Sequence, residues 1–190
     1  MIVVSYYTDF YGVSAQKLKE SLSKFDLRFD IEHVDDMGSW KLNNRLKPGF
    51  INLMMDSHPK DTIVWVDADA VVLSHPKLFD SVGWDVAAWY NKVNSPWAGT
   101  LAFKPNNAAR AALGRWMSLI ERVDPEADVG ERGVLHQDVL GEAFRKQDVR
   151  ILQLPPSYSW VERLMRRRFP GADPVIEHFM VSRPELGPRR

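Results

Sequence analysis

Along the chain, short apolar runs alternate with longer stretches in which apolar residues return every third or fourth position. Residues 2–7 (IVVSYY) are β-branched and aromatic and read as a buried strand. Asp9 and Gly12 mark a turn. Between 13 and 25, Val13, Leu18, Leu22 and Phe25 are separated by Lys and Glu, which predicts an amphipathic helix. The alternating RFDIEHV of 28–34 predicts a second strand. A second helix is expected over 40–55, broken or restarted at Pro48, because proline fits the first turn of a helix. TIVWV makes 61–66 a third strand. Strand, helix, strand, helix, strand is the pattern of an α/β domain with parallel strands.

The second half is less regular. Strands are expected at 85–90, 97–103, 149–154 and 175–180. Helices are expected at 107–123, capped by Asn106 or Asn107, at 135–146, and as a basic segment at 160–169. Residues 124–133 read as a polar loop and 184–190 as a frayed tail. With no repeat and no clear linker, the expectation is one domain over 1–183 followed by the tail.

Composition narrows the function. The 190 residues are 45% hydrophobic and 26% charged, which argues against disorder and fits one domain. Lys plus Arg and Asp plus Glu are 25 each, so no global charge attracts nucleic acid or an anionic membrane. There is no cysteine, which excludes disulfides, thiolate catalysis, Cys-held zinc and iron–sulfur clusters. The start MIVVSYYTDF lacks a basic n-region, so no signal peptide is expected. No run approaches the roughly 18 apolar residues of a membrane span. A soluble, cytoplasmic protein is the default reading.

The chemistry concentrates at Val64-Trp65-Val66-Asp67-Ala68-Asp69. Carboxylates are costly inside a buried strand, so they belong at its open C-terminal end, where open α/β sheets bind ligands. Residues i and i+2 of an extended chain face the same side, so both carboxylates can face one cation. Oxygen ligands suit Mg²⁺ or Mn²⁺, which commonly complete their shell with phosphate and water. A calcium-binding EF-hand loop does not fit, because Val71 and Val72 stand where that loop needs an oxygen ligand and a glycine.

Two families share such a motif. Asp67-Ala68-Asp69-Ala70-Val71 resembles the first motif of haloacid-dehalogenase-type phosphatases, which implies Asp67 as nucleophile and Asp69 as general acid/base. That motif lies on the first strand of its family, whereas two strand–helix units precede it here. A broader resemblance covers most of the chain. The sequence looks like the GT-A-type nucleotide-diphospho-sugar glycosyltransferases, near the glycogenin and lipopolysaccharide-galactosyltransferase group. It rests on Arg45-Leu46-Lys47-Pro48-Gly49-Phe50-Ile51 ahead of the acidic motif, the motif with Pro76-Lys77-Leu78-Phe79 after it, Asn94 to Phe103, His136-Gln137-Asp138-Val139-Leu140, and the late His178.

The GT-A resemblance implies a single mixed, mainly parallel sheet flanked by helices, and sugar transfer from a nucleotide-diphosphate donor, UDP-sugar rather than GDP-sugar. It makes Asp67, Asp69 and His178 the ligands of Mn²⁺ or Mg²⁺, with Glu177 a rival to His178. Thr8, Asp9 and Tyr11 would meet base and ribose, Arg45 or Lys47 the diphosphate, and Ala68 and Gly99 the nucleotide sugar. Asp138 would be the base of an inverting enzyme; in a retaining one Gln137 or Asp138 would lie against the sugar. Trp97 or Trp160 would stack on a sugar ring. The acceptor is open between glycan, protein and DNA. Arg163, Arg166, Arg167 and Arg168 also leave open a non-catalytic GT-A-like protein that binds nucleic acid.

Overall fold

The computed structural model describes residues 1–92, 95–123, 136–145 and 148–181, without the side chains of residues 92 and 136–138. The strands are β1 (Ile2–Tyr7), β2 (Phe29–His33), β3 (Ile63–Val66), β4 (Ala70–Val72), β5 (Val86–Lys92), β6 (Ser95–Phe103), β7 (Ile151–Gln153) and β8 (Ile176–His178). The helices are α1 (Gly12–Ser23), α2 (Trp40–Arg45), α3 (Lys47–Ser57), α4 (Asn107–Glu121), α5 (His136–Arg145) and α6 (Glu162–Met165).

Six strands form one sheet in the order β2-β1-β3-β6-β5-β7, and only β6 runs against its neighbours. This is the mixed, mostly parallel α/β architecture expected. Alternation along β1 and β3 divides the core. Ile2, Val4, Tyr6, Ile63 and Trp65 face α3, α4 and α5, while Val3, Val64 and Val66 face α1. α1 and α3 therefore cover opposite faces, and the strand order reverses between β1 and β3. In open α/β sheets that reversal opens a crevice at the strand C-termini.

Local signals were strong where the chain obeys them. α2 ends before Leu46 and α3 restarts with Pro48 in its first turn. The Asn106 side chain accepts from the Ala109 N–H at 2.9 Å and caps α4. Asp85, buried at the head of β5, accepts from the Arg150 guanidinium at 2.7 and 3.0 Å and from Asn106 Nδ2 at 2.9 Å, joining β5, β7 and α4.

One expectation needs correction, and one strand was not anticipated. The basic helix over 160–169 is a single turn, Glu162–Met165. Trp160 instead bridges to Glu177, donating its N–H to Ile176 O at 2.9 Å, and Pro170-Gly171 stops any continuation. The stretch after Asp69 is a strand: β4 pairs antiparallel with β8 in a second, two-stranded sheet. The loop at 124–133 and the tail at 184–190 lie outside the described residues.

Candidate metal centre

Asp67 and Asp69 leave β3 at its C-terminal end. The Asp67 N–H donates to Gly99 O at 2.9 Å, which continues the β3–β6 ladder one residue past the strand. The chain then turns, with the Ala70 N–H on Asp67 O, and runs back as β4. Pairing of Ala70 with His178 carries the distant C-terminal segment to the motif. Asp67, Asp69 and His178 each offer a ligand atom, and these atoms lie within 4.8 Å of one another.

The side chain of each is held through one atom. Asp67 Oδ1 accepts from Lys47 Nζ at 2.7 Å and from the Trp65 indole N–H at 2.8 Å. Asp69 Oδ2 accepts from the Val181 N–H at 2.9 Å, and Asp69 O accepts from the Phe179 N–H at 2.8 Å. Met180 between them takes a left-handed backbone, φ 52°, which directs both donors at one residue. His178 Nε2 meets Thr100 Oγ1 at 2.9 Å. Partners of this kind orient ligands and set their basicity.

Gly99 supplies the space. A Cβ there would lie 3.0 Å from His178 Cε1, 3.3 Å from His178 Nδ1 and 3.4 Å from Asp67 Oδ2. β6 carries extra residues against β5 between the Ala88–Leu101 and Tyr90–Pro96 pairs, a bulge of the kind that re-aims side chains beside functional sites.

Burial dominates the electrostatics. It pushes the Asp69 carboxyl up to about 6, with the Asp67 charge adding to the effect. It brings His178 down to about 4, so the imidazole is neutral and able to ligate near pH 7. Tyr6 is raised, first by burial and then by Asp67. Two carboxylates and a neutral imidazole fit Mn²⁺ well, and a divalent ion would favour both carboxylates as anions.

The other candidates are distributed as follows. Thr8 is buried directly after β1, beside the end of β3. Asp9 is exposed and pairs with His33 Nε2 at 2.7 Å. Tyr11 is half-buried with its ring edge-on to Phe10. Ala68 is buried between the two aspartates. Lys47 is buried on Asp67, and Arg45 donates instead to Ile120 O and Val123 O at the end of α4. Gln137 and Asp138 stand in the first turn of α5, but their side chains lie outside the described ones. Glu177 faces away from the centre toward Glu162 and Arg166. Trp160 is buried with its indole N–H on Glu162, which removes it as a stacking platform; Trp97 remains half-exposed, edge-on to Trp89 at 4.8 Å.

Trp65 and Thr100 were not anticipated. Trp65 had a signal, since i and i+2 share a face of the strand. Thr100 had none, because only the fold sets it against His178.

No family model and no curated protein sequence matches the chain. Solved structures do. A glycosyltransferase involved in glycosylation of the major capsid of PBCV-1 matches with TM-score 0.73 and 14% identity, over 97% of this chain and 95% of that one. The galactosyltransferase LgtC, solved with donor and acceptor sugar analogues, matches with TM-score 0.57 and 13% identity, over 95% and 87%. The glycosyltransferase GlyE of Streptococcus pneumoniae TIGR4 matches with TM-score 0.61 and 16% identity, over 94% of this chain and 54% of that one. The chain thus has the GT-A fold of these glycosyltransferases. No helix among the described residues is long and apolar enough to cross a membrane.

Proposed function

We infer that the chain is a metal-dependent glycosyltransferase that moves a sugar from a nucleotide-diphosphate donor, a UDP-sugar, to an acceptor hydroxyl of a glycan, protein or DNA. One observation carries this reading. In a GT-A fold, the ligand atoms of Asp67, Asp69 and His178 converge at the C-terminal end of β3, on the space that Gly99 leaves open.

Asp67, Asp69 and His178 would hold Mn²⁺ or Mg²⁺, which when bound offsets charge on the diphosphate leaving group. Thr8, Asp9 and Tyr11 follow β1, the strand next to β3, and would receive base and ribose. Ala68 and Gly99 permit close approach of the donor. α5 packs on β6, with Phe144 in its last turn against Phe103 at the end of β6 remote from Gly99. This supports placing the start of α5, with Gln137 and Asp138, toward the metal centre. Asp138 would take the acceptor proton, and Gln137 would position the sugar.

Phosphomonoester hydrolysis through Asp67 is the weaker reading, because the structural neighbours are glycosyltransferases. Nucleic-acid binding by the arginines is weaker too. Arg166 is spent on Glu162 and Trp160, and Arg168 on Asn91.

Thermal unfolding against UDP, GDP, CMP and their sugars, with Mn²⁺ and then with EDTA, tests the proposal. A ligand at 100 times its dissociation constant stabilises by about 2.7 kcal/mol. A shift for one nucleoside diphosphate that EDTA abolishes is expected; no shift with any nucleotide would refute it.

A further inference from the structure

Lysine is almost never fully buried unless paired, yet Lys47 is 1% exposed. Its ammonium donates to Asp67 Oδ1 at 2.7 Å and to Ala98 O at 3.1 Å, and lies 5.0 Å from the centroid of the Trp65 ring. It stands in the first turn of α3, where Pro48 fixes the backbone. The cation is therefore built into the wall of the metal centre. Trp65 occupies the same oxygen from within β3, so Asp67 has only Oδ2 to offer on the Gly99 side.

We propose that Lys47 is a resident cation that competes with the divalent ion for Asp67, so that the ion binds weakly alone and firmly only together with a nucleoside diphosphate. The proposal rests on the metal-dependent reading above.

The charges set the sign. With both carboxylates ionised and His178 neutral, the group of Asp67, Asp69, His178 and Lys47 carries a net charge of −1. A divalent ion on Asp67 Oδ2 shares its ligand with a fixed positive charge, and the loaded group becomes +1. Like charges this close in a partly buried site oppose the bare ion. A diphosphate supplies the missing negative charge, so its arrival strengthens the ion's hold, and by reciprocity the ion strengthens the diphosphate's.

The test is a titration of free Mn²⁺ by its paramagnetic resonance signal, with and without UDP or GDP. It uses the wild-type chain, Lys47→Met and Trp65→Phe. The wild type is expected to bind Mn²⁺ roughly tenfold or more tightly with the matching nucleotide, within the usual range of such couplings. Lys47→Met should bind bare Mn²⁺ roughly tenfold more tightly than the wild type and lose most of the coupling. Trp65→Phe removes a neutral donor and no charge, so it should keep the coupling and not raise the bare affinity. A merely structural role for Lys47 predicts the opposite sign, because a damaged site binds the ion less well. A wild-type coupling below about threefold overturns the proposal without recourse to any variant. So does a folded Lys47→Met chain whose bare affinity is unchanged or lower. If the wild type binds neither Mn²⁺ nor Mg²⁺ with any nucleotide, the metal-dependent reading itself falls and takes this proposal with it.

Discussion

Thr100 Oγ1 and His178 Nε2 meet at 2.9 Å, both buried, and join the antiparallel strand of the main sheet to the last strand of the small one. This bond orients an imidazole that the chain delivers from far downstream. Thr100→Val keeps the shape and removes the partner. It should cost about 1–3 kcal/mol, because a buried ring nitrogen loses the hydroxyl it bonds. Mn²⁺ affinity should fall about 10–100-fold, the usual price of losing a partner that orients a ligand. Chemical denaturation and calorimetric titration with Mn²⁺ read the two effects separately.

Gly99→Ala tests the space itself. The new methyl would stand 3.0 Å from His178 Cε1, so the imidazole must shift away from Asp67. Destabilisation of about 1–3 kcal/mol is expected, as for overpacking elsewhere, together with loss of Mn²⁺ binding. Gly114→Ala is the control. It lies within α4 with nothing within 4 Å of the added methyl, and should stabilise by about 0.4–1 kcal/mol. Denaturant midpoints of the two variants should move in opposite directions.

Asp69→Asn separates stability from function. Without a cation, Asp69 is buried beside Asp67, and its ionised form is disfavoured by burial first and by that charge second. The neutral amide can still accept from the Val181 N–H. In EDTA the variant should unfold at the same temperature as the wild type or higher, whereas only the wild type should gain from Mn²⁺ with nucleotide. Thermal unfolding in the two buffers checks this; a variant less stable in EDTA would contradict it.

Acid stability should depend on Asp85, far from the metal centre in role. Hydrogen bonding from Arg150 holds its carboxyl well below the ordinary value of 3.8. A carboxyl lowered by folding contributes stability that is fully present above its unfolded value and lost as pH falls from about 4 toward the folded one. Asp85→Asn should cost about 1.5–3 kcal/mol at pH 7, and the smaller figure is favoured because Arg150 is 65% exposed. It should also flatten the acid limb below pH 4. Urea denaturation over pH 2–7 measures both.

Much of this was legible wherever chemistry is local. The apolar period of β1 and β3, the break at Pro48 and the cap at Asn106 need no long-range contact, and all three are found. The Asp-Ala-Asp motif could be placed at a strand end because burying two carboxylates within the strand is costly. What holds those carboxylates was not legible. Sequence alone leaves Lys47 and Arg45 as equal candidates for the diphosphate; the fold sets Lys47 on Asp67 and Arg45 on the end of α4, because only the packed helices decide which basic side chain reaches which partner. The stretch 160–169 carries helical spacing, but pairing of Trp160 with Glu177 takes its first residues into extended chain, and the helix that follows is one turn, Glu162–Met165. β4 is three residues long, too short for any period to show without its partner β8.

The most direct test of the central claim is anomalous diffraction from crystals soaked in MnCl₂ with UDP, collected at an energy where manganese scatters anomalously. The account predicts one strong peak bounded by Asp67, Asp69 and His178 with the diphosphate against it, and no such peak in crystals of Asp69→Asn. A nucleotide bound at the end of β3 without manganese, or manganese bound elsewhere, would contradict it.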